Sequence, residues 1–251
     1  MTKCYELNES QWERIEKLLP GKREDPGRSG RDNRLFVHGV LWILRSGARW
    51  SDLPERYGQW KSVHKRFTRW ARAGVWEKVF ASLLQDPQND YLLLDATLVK
   101  AHQQAATGKR GARDQALGRS RGGLTTKIHL LCDGLGRPLR LRLTPGQAAD
   151  ISSAAILLAG VQGRGLVADK AYDSDALRAL LAIGRMAAVI PAKSNRKVPI
   201  PHDRFLYRTR NRIERCFNKL KHFRRIATRF DRRDTYFLAF LHLACALLWL
   251  R

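Results

Sequence analysis

The sequence is poor in acidic residues, poor in cysteine and without an apolar run long enough to cross a membrane. Its 23 Asp and Glu stand against 47 Lys and Arg, which gives a formal net charge of +24. A compact chain with this excess repels itself unless a polyanion neutralises it. We therefore expect nucleic acid as the partner, with an anionic membrane surface as the competitor. Because a ribosomal or nucleoid protein would carry a similar charge, composition indicates a partner but no activity.

The four cysteines lie far apart and form no C-x-x-C pair. This spacing argues against a structural zinc site and a disulfide framework, and it is typical of buried free thiols in a reducing cytoplasm. Residues 1–9 are polar, so we expect no signal peptide and a cytoplasmic location. The cysteines are Cys4, Cys132, Cys216 and Cys245.

The longest apolar segment, residues 235–250, is a candidate for a membrane anchor. Spanning a bilayer takes about 20 such residues, whereas this segment is shorter and contains His242. We therefore expect a buried C-terminal helix and no membrane association.

The first part of the chain has the apolar spacing of helices. One helix is predicted to begin at an N-cap on Asn8 or Ser10, and a second runs from a cap at Asp32 to a terminator at Gly47. The polar, glycine-rich residues 21–30 between them are predicted to form a loop.

A third predicted helix, residues 60–72, is amphipathic and basic. Its apolar residues are expected to pack inward, which leaves a basic outer surface. A turn followed by such a helix is what a helix-turn-helix DNA-binding motif requires; the alternative is a helical bundle with a solvated basic face. The net charge favours contact with DNA. The basic residues are Lys61, Lys65, Arg66, Arg69 and Arg72.

From residue 90 the apolar pattern changes to one of short strands alternating with helices, which predicts an α/β fold. The predicted elements are strand 91–94, a loop over 108–123, a hairpin of strands 127–132 and 139–143, helix 151–159 capped by Asp150, strand 165–168, helix 174–183, strand 187–190 and a basic helical section from residue 203.

Two aspartates stand directly after apolar strands. Asp95 follows three leucines, and Asp169 follows Leu166, Val167 and Ala168. A carboxylate in that setting costs burial energy unless something compensates it, and Mg²⁺ is an efficient compensator. The alternative is that each is a helix cap or an ion-paired aspartate.

A third acid, Glu214, is isolated among cations. Residues 204–233 contain twelve Lys and Arg but only two acids. On a helix, Tyr207, Arg210, Glu214 and Lys221 fall on one stripe. Glu214 either balances the charge of Arg210, four residues away, or binds a metal whose neighbours hold phosphates.

The spacing of Tyr207, Arg210, Glu214 and Lys221 resembles the Y-R-E-K signature of bacterial insertion-sequence transposases. Residues 92–101 (LLLDATLVKA) and 167–174 (VADKAYDS) look like the two aspartate motifs of these enzymes. The sequences GARWSDLP and RFTRW resemble the helical region of the five-type insertion-sequence family. The likeness extends over nearly the whole chain.

This resemblance implies a DDE transposase. Its fold would be α/β, a ribonuclease-H-like mixed sheet with flanking helices, preceded by a small all-helical domain similar to a helix-turn-helix. Residues 1–86 would be the DNA-binding domain, and residues 87–251 the catalytic domain with its C-terminal apolar helix. Two Mg²⁺ ions, for which Mn²⁺ substitutes, would be held by Asp95, Asp169 and Glu214.

The resemblance also implies roles for neighbouring residues. Arg210 and Lys221 would hold DNA phosphates, and Tyr207 would either stack on a base or pack the helix. Apart from the resemblance, Lys170, Tyr172 and Asp173 follow the second aspartate closely, and this position predicts that they touch DNA or cap the next helix. His129 alternates with apolar neighbours and is expected in the core.

The implied function is binding of the terminal inverted repeats, cleavage to 3′-hydroxyl ends and joining of these ends to target DNA. We expect a homodimer on double-stranded DNA and no small-molecule substrate. Three alternatives stay open at this point: an inactive DNA-binding repressor of the element, a nuclease that cuts without joining, and a basic structural protein.

Overall fold

The computed structural model describes residues 6–22, 25, 30, 32–85, 89–106 and 115–251. By their contacts, the residues form two compact units. The helical unit comprises residues 1–85, 102–109 and 220–251, and the sheet unit comprises residues 86–101 and 110–219.

These units differ from the predicted division into residues 1–86 and 87–251. The C-terminal residues belong to the helical unit because the last helix packs against the N-terminal helices. The predicted boundary itself, with Cys4 and much of the predicted loops 21–30 and 108–123, lies outside the described residues.

The helical unit begins with helices whose ends match the sequence signals. Asn8 caps the first helix by accepting a hydrogen bond from the backbone N–H of Gln11 at 2.9 Å, and the Gln11 side chain accepts one from the backbone N–H of Asn8 at 3.1 Å, which completes a capping box. Asp32 caps the second, and Gly47 ends it in the left-handed conformation at φ 69°. The α-helices of this unit are α1 (Glu9–Glu16), α2 (Asn33–Ser46), α3 (Trp60–Arg72), α4 (Val75–Ser82), α9 (Arg224–Ala227) and α10 (Asp234–Trp249).

Helix α10 confirms the expectation of a buried C-terminal helix, since it is buried along most of its length. Its Phe240 ring stacks on Phe67 of α3, with ring centroids 4.4 Å apart, and lies 6.1 Å from the ring of Trp50. Among the described residues, no helix combines the length and the apolar character needed to cross a membrane.

The link between α2 and α3 is longer than the three- or four-residue turn of a helix-turn-helix motif. It covers residues 47–59 and contains two 3-10 turns, Trp50–Asp52 and Glu55–Tyr57. The charged surface of α3 is therefore the feature of this region that favours contact with DNA.

The sheet unit is built around one long central strand, β1. Antiparallel β3 lies on one side of β1, and parallel β5 and then β6 lie on the other. Strands β2 and β4 pair with successive parts of β3. The strands of this unit are β1 (Tyr91–Ala101), β2 (Gly118–Ser120), β3 (Gly123–Cys132), β4 (Pro138–Pro145), β5 (Gly165–Ala168) and β6 (Ala187–Val189).

Helices flank this sheet; 3-10 turns at residues 150–153 and 170–172 lie between a strand and the following helix, and a third at residues 208–210 joins two helices. The mixed sheet with flanking helices confirms the predicted α/β, ribonuclease-H-like fold class. The helices are α5 (Ala154–Leu158), α6 (Asp175–Ile183), α7 (Arg204–Tyr207) and α8 (Asn211–Lys221), the last of which runs across the boundary into residues 220–221.

Three sequence predictions were wrong in detail. Strand β1 does not end at Asp95, because pairing with β3 continues as far as Lys100 opposite Thr125. The predicted loop 108–123 contains β2, which pairs with the start of β3. Asp150 does not cap the predicted helix: it is the first residue of the 3-10 turn Asp150–Ser153, and Ser153 holds the N-cap position of α5.

Candidate active site

The sheet register places Asp95 and Asp169 next to each other. Parallel β1 and β5 are paired up to Leu94 opposite Ala168, and each aspartate is the following residue. Neighbouring strands lie about 5 Å apart, so the two aspartates lie side by side where the parallel pairing ends. Asp95 was predicted to stand at the end of a strand. It does follow the last residue of β1 that pairs with β5, although β1 continues to pair with β3 beyond it.

Asp95 is a mostly buried carboxylate whose two oxygens are both engaged. Its side chain is 15% exposed. One oxygen accepts from the backbone N–H of Ala96 at 2.8 Å, and the other from Nη1 of Arg210 at 3.0 Å. Burial raises the pKa of Asp95 to about 6, and the charge of Asp169 adds to this, although the Ala96 amide and Arg210 act in the opposite direction.

Asp169 has a local backbone partner. Its Oδ1 accepts from the backbone N–H of Ala171 at 2.8 Å and so caps the 3-10 turn Lys170–Tyr172. Lys170, the first residue of this turn, is exposed. The turn places a cationic side chain at the surface directly beside the second aspartate.

Glu214 lies in the first turn of α8 and is half exposed. Its Oε1 accepts from Nη2 of Arg210, whose other Nη holds Asp95. Arg210 thus joins two of the three predicted acids. The described residues contain no group of three or more His, Cys, Asp or Glu gathered closely enough to hold a metal ion.

The donor chemistry nevertheless fits a hard divalent cation, which takes carboxylate oxygens. Two of the carboxylates are adjacent, and the burial of Asp95 is only partly compensated by Arg210, since the pKa of Asp95 stays raised. The third, Glu214, is drawn to the same guanidinium as Asp95. Arg210 therefore serves here as the shared cation of Asp95 and Glu214.

The stripe predicted from Tyr207 to Lys221 is broken by a tighter turn. Helix α7 ends at Tyr207, residues 208–210 form a 3-10 turn, and α8 begins at Asn211. The Tyr207 ring lies 5.9 Å from the Arg210 guanidinium and meets the His202 ring edge-on at 5.3 Å. Lys221, at the end of α8, is half-buried, and burial lowers its pKa.

Sequence reasoning misread Asp150. Its carboxylate accepts from Nζ of Lys127 at 2.6 Å, and the same ammonium donates to the backbone carbonyl of Ala148. Asp150 also raises the pKa of Asp95, which puts this fourth carboxylate within electrostatic reach of the site. The partner lies on β3, 23 residues earlier in the chain, so no local signal identified it.

His129 is a core residue, as expected from its apolar neighbours. It is fully buried, and its Nε2 shares a 2.7 Å hydrogen bond with the hydroxyl of Thr144 on β4. Burial lowers its pKa to about 4, so it stays neutral.

Asp173 is bound by neighbouring groups of the fold. It does not cap α6, because Ser174 holds that position. Its buried carboxylate accepts from Arg178 and Arg196 at distances between 2.8 and 3.0 Å, and from the backbone N–H of Lys193 at 2.8 Å. Burial alone would raise the pKa of Asp173, but these donors hold it well below its usual range. The cluster secures the segment that follows β6.

The predicted basic surface of α3 is largely present, with one exception. Arg66 is half-buried: its guanidinium lies 4.4 Å from the Phe36 ring centroid and 4.7 Å from that of Trp70, and it donates to Asn33. Burial lowers the pKa of Arg66. Four basic side chains remain exposed, namely Lys61, Lys65, Arg69 and Arg72.

The ribonuclease-H-like sheet, with two neighbouring aspartates at the end of its paired parallel strands, is the fold of a class of enzymes that act on nucleic acids. Comparison with known families places the chain within that class. Residues 86–249 match the family described as "Transposase DDE domain", and residues 7–80 match the "Putative transposase of IS4/5 family". The chain belongs to the DDE transposase family of bacterial insertion sequences and is an enzyme of DNA transposition.

Individual relatives agree with this assignment. The chain is 46% identical over 130 residues to the "Putative transposase for insertion sequence element IS6501" of Brucella ovis, covering 51% of this chain and 100% of that protein. It is 32% identical over 135 residues to a protein of Burkholderia cepacia with the same description for element IS402, covering 49% of this chain and 62% of that one.

Among solved structures, a piggyBac transposase synaptic complex with hairpin DNA is similar at 16% identity and a TM-score of 0.43. The match covers 76% of this chain and 48% of that chain.

Proposed function

We propose that the chain binds the terminal inverted repeats of its insertion sequence, cleaves them to 3′-hydroxyl ends and joins these ends to target DNA. The observation that supports this most is the adjacency of Asp95 and Asp169, produced by the β1–β5 register within a DDE transposase domain. Such a pair, with Glu214 on a nearby helix turn, suits two-metal phosphoryl transfer. The chain would act as a homodimer on double-stranded DNA, because two ends must be joined together.

In this proposal Asp95, Asp169 and Glu214 hold two Mg²⁺ ions, with Mn²⁺ able to replace them. The ions would supply charge neutralisation at the scissile phosphate and lower the pKa of the attacking water or 3′-hydroxyl. The chain's own residues fix the geometry: the sheet sets the spacing of the two aspartates, and the Ala96 and Ala171 amides each hold one carboxylate oxygen in place.

Arg210 would change partners in the reaction cycle. Its guanidinium now holds Asp95 and Glu214, the two acids that must turn to the metal. Once those acids are neutralised by cations, a planar fork of N–H donors beside them is suited to a DNA phosphate. Tyr207, whose ring lies beside the Arg210 guanidinium and edge-on to His202, would limit how far the guanidinium can move.

Further cations would position the DNA without reading its sequence. Lys221 lies two helical turns beyond Glu214 on α8, and Lys170 is exposed beside Asp169. On the helical unit, the exposed Lys61, Lys65, Arg69 and Arg72 would contact phosphates, whereas Arg66 supports the fold. Contacts of this kind supply affinity that falls steeply with salt.

The test is a cleavage and joining assay with the DNA that flanks the reading frame. Wild type would be compared, in Mg²⁺ or Mn²⁺, with Asp95→Asn, Asp169→Asn and Glu214→Gln, each of which keeps the side-chain shape but removes the charge. We expect each variant to lose about 10³-fold or more in cleavage rate. Asp175→Asn, at an exposed carboxylate on α6, is the matched control and should retain activity.

Different failures would point to different alternatives. Cleavage by wild type without attack of the 3′-hydroxyl on a second duplex would indicate a nuclease. Specific binding without cleavage in any metal would indicate a repressor of the element. Full activity in one of the three carboxylate variants would remove that residue from the site.

A further inference from the structure

The hydroxyl of Tyr172 is a buried polar group with no role in the fold. The residue is 0% exposed, and its Oη has no hydrogen-bond partner among the described residues. A buried tyrosine hydroxyl normally finds a partner, and leaving it without one destabilises the protein. A phenylalanine would fill the same space without this loss of stability, so packing alone does not explain why a hydroxyl is present.

The position of Tyr172 in the fold suggests a role for its hydroxyl at the carboxylate site. Tyr172 ends the 3-10 turn that Asp169 caps, and this turn packs against the 3-10 turn that begins at Asp150. Asp95 lies one strand away from Asp169. The fold thus brings three carboxylates within electrostatic reach of one tyrosine: one on β1, one that caps the turn of Tyr172, and one on the neighbouring turn.

The electrostatics agree with this placement. Burial raises the pKa of Tyr172, and the carboxylates of Asp95, Asp150 and Asp169 each raise it further. The hydroxyl therefore keeps its proton and can act only as a neutral donor or acceptor, never as a base, near neutral pH. A protonated donor beside several acceptor-rich carboxylates is suited to hold a water molecule.

We propose that Tyr172 is a positioning residue of the carboxylate site, whose hydroxyl donates a hydrogen bond to a water molecule held among Asp95, Asp150 and Asp169. The inference rests on the proposed function, because the water belongs to the hydration of the divalent cation that these acids bind. Asp150, held in place by Lys127, is the outer acceptor of this water. In this proposal Tyr172 contributes to metal binding, and its unpaired hydroxyl makes the metal-free protein less stable.

The two effects have opposite signs, which makes Tyr172→Phe informative. In the full-length chain without divalent metal, removal of the unpaired hydroxyl should raise the melting temperature by roughly 2–4 °C. In a titration with Mn²⁺ alone, followed by calorimetry, the same variant should bind about tenfold more weakly, the usual effect of losing a hydrogen bond next to a metal site.

Tyr57→Phe is the matched control. Tyr57 is also buried, but its hydroxyl donates to the carboxylate of Glu6 at 3.2 Å. Its loss should lower the melting temperature and leave Mn²⁺ binding unchanged. Tyr172→Phe behaving in the same way as this control, or leaving the Mn²⁺ affinity unchanged, would overturn the proposal.

Asp95→Asn separates this inference from the proposed function. Weakened Mn²⁺ binding in Asp95→Asn, with normal binding in Tyr172→Phe, would leave the metal site intact and remove only the tyrosine from it. Normal Mn²⁺ binding in Asp95→Asn would contradict the metal site itself, and the role of Tyr172 with it.

Discussion

Asp95 and Asp173 are buried aspartates of the same sheet unit, yet their surroundings are opposite. Asp173 accepts from two arginines and a backbone amide, and its pKa lies well below the usual range. Asp95 has one arginine, one backbone amide and two nearby carboxylates, and its pKa is raised. The charge of Asp173 is neutralised by groups of the protein itself. The charge of Asp95 is only partly neutralised, so it can still bind a cation from solution.

The largest effect expected from this difference is on stability. Asp173→Asn should lower the free energy of unfolding by about 3–5 kcal/mol, since it leaves Arg178 and Arg196 without their shared buried anion. Asp95→Asn should leave the free energy of unfolding unchanged or raise it when no metal is present. Urea denaturation of both variants measures this, and a larger loss in Asp95→Asn would reverse the comparison.

A buried titratable group in the helical unit provides a second test, by pH. His242 of α10 stacks on Phe80, and burial lowers its pKa to about 4. A histidine held neutral stabilises the fold above its unfolded pKa of about 6.5, and this contribution is lost as pH falls towards 4. Between pH 7 and pH 5 the loss should be about 2 kcal/mol.

His242→Phe should remove this part of the pH dependence, measured as the free energy of unfolding at pH 7 and pH 5. The same substitution at the exposed His222 is the control and should leave the dependence in place. Equal acid sensitivity in wild type and His242→Phe would show that other groups cause it.

Arg210 lets the available charge of Asp95 be tested directly. If its guanidinium competes with metal for Asp95 and Glu214, Arg210→Gln should bind Mn²⁺ about tenfold more tightly than wild type and yet cleave DNA more slowly. Calorimetry gives the first quantity and the cleavage assay the second. Arg212→Gln is the matched control, since Arg212 lies two residues further along, in the first turn of α8, and its guanidinium donates to the carbonyl of Gly134. Unchanged Mn²⁺ affinity in Arg210→Gln would show that the arginine does not compete.

Two arginines of α3 are expected to differ in a similar way, with smaller effects: Arg66 acts within the fold, and Arg69 is available to DNA. Arg69→Gln should weaken DNA binding a few-fold at every sequence and reduce the dependence of log K on log salt by about one. Arg66→Gln should instead lower the melting temperature, because Arg66 packs on Phe36 and Trp70. A DNA-binding titration at several salt concentrations, with a melting curve for each variant, would distinguish the two. Equal effects of the two substitutions on the salt dependence would contradict the distinction.

Local signals in the sequence account for much of this molecule. The caps at Asn8, Asp32 and Gly47 and the extent of α3 were predictable because neighbouring residues determine them. The two aspartates could be found because each follows an apolar strand. What the sequence did not show depends on partners far along the chain.

Asp150 is the clearest case. In sequence it has every property of a helix cap, and only the fold brings Lys127 to it. Arg66 is similar, since helical spacing assigns it to the outer surface, but Phe36 and Trp70 cover it with their rings. The arrangement of Arg210 between two acids likewise required the tertiary structure, because Asp95 lies 115 residues away.

The register of β1 also limits how the gene can change. Side chains alternate between the two faces of a sheet, so one residue added or lost between Tyr91 and Asp95 would turn the carboxylate to the opposite face. The paired segment could exchange one apolar residue for another at modest cost, but its length could not vary by one. Among descendants of this element, we therefore expect substitutions to accumulate in these codons while in-frame insertions and deletions are eliminated.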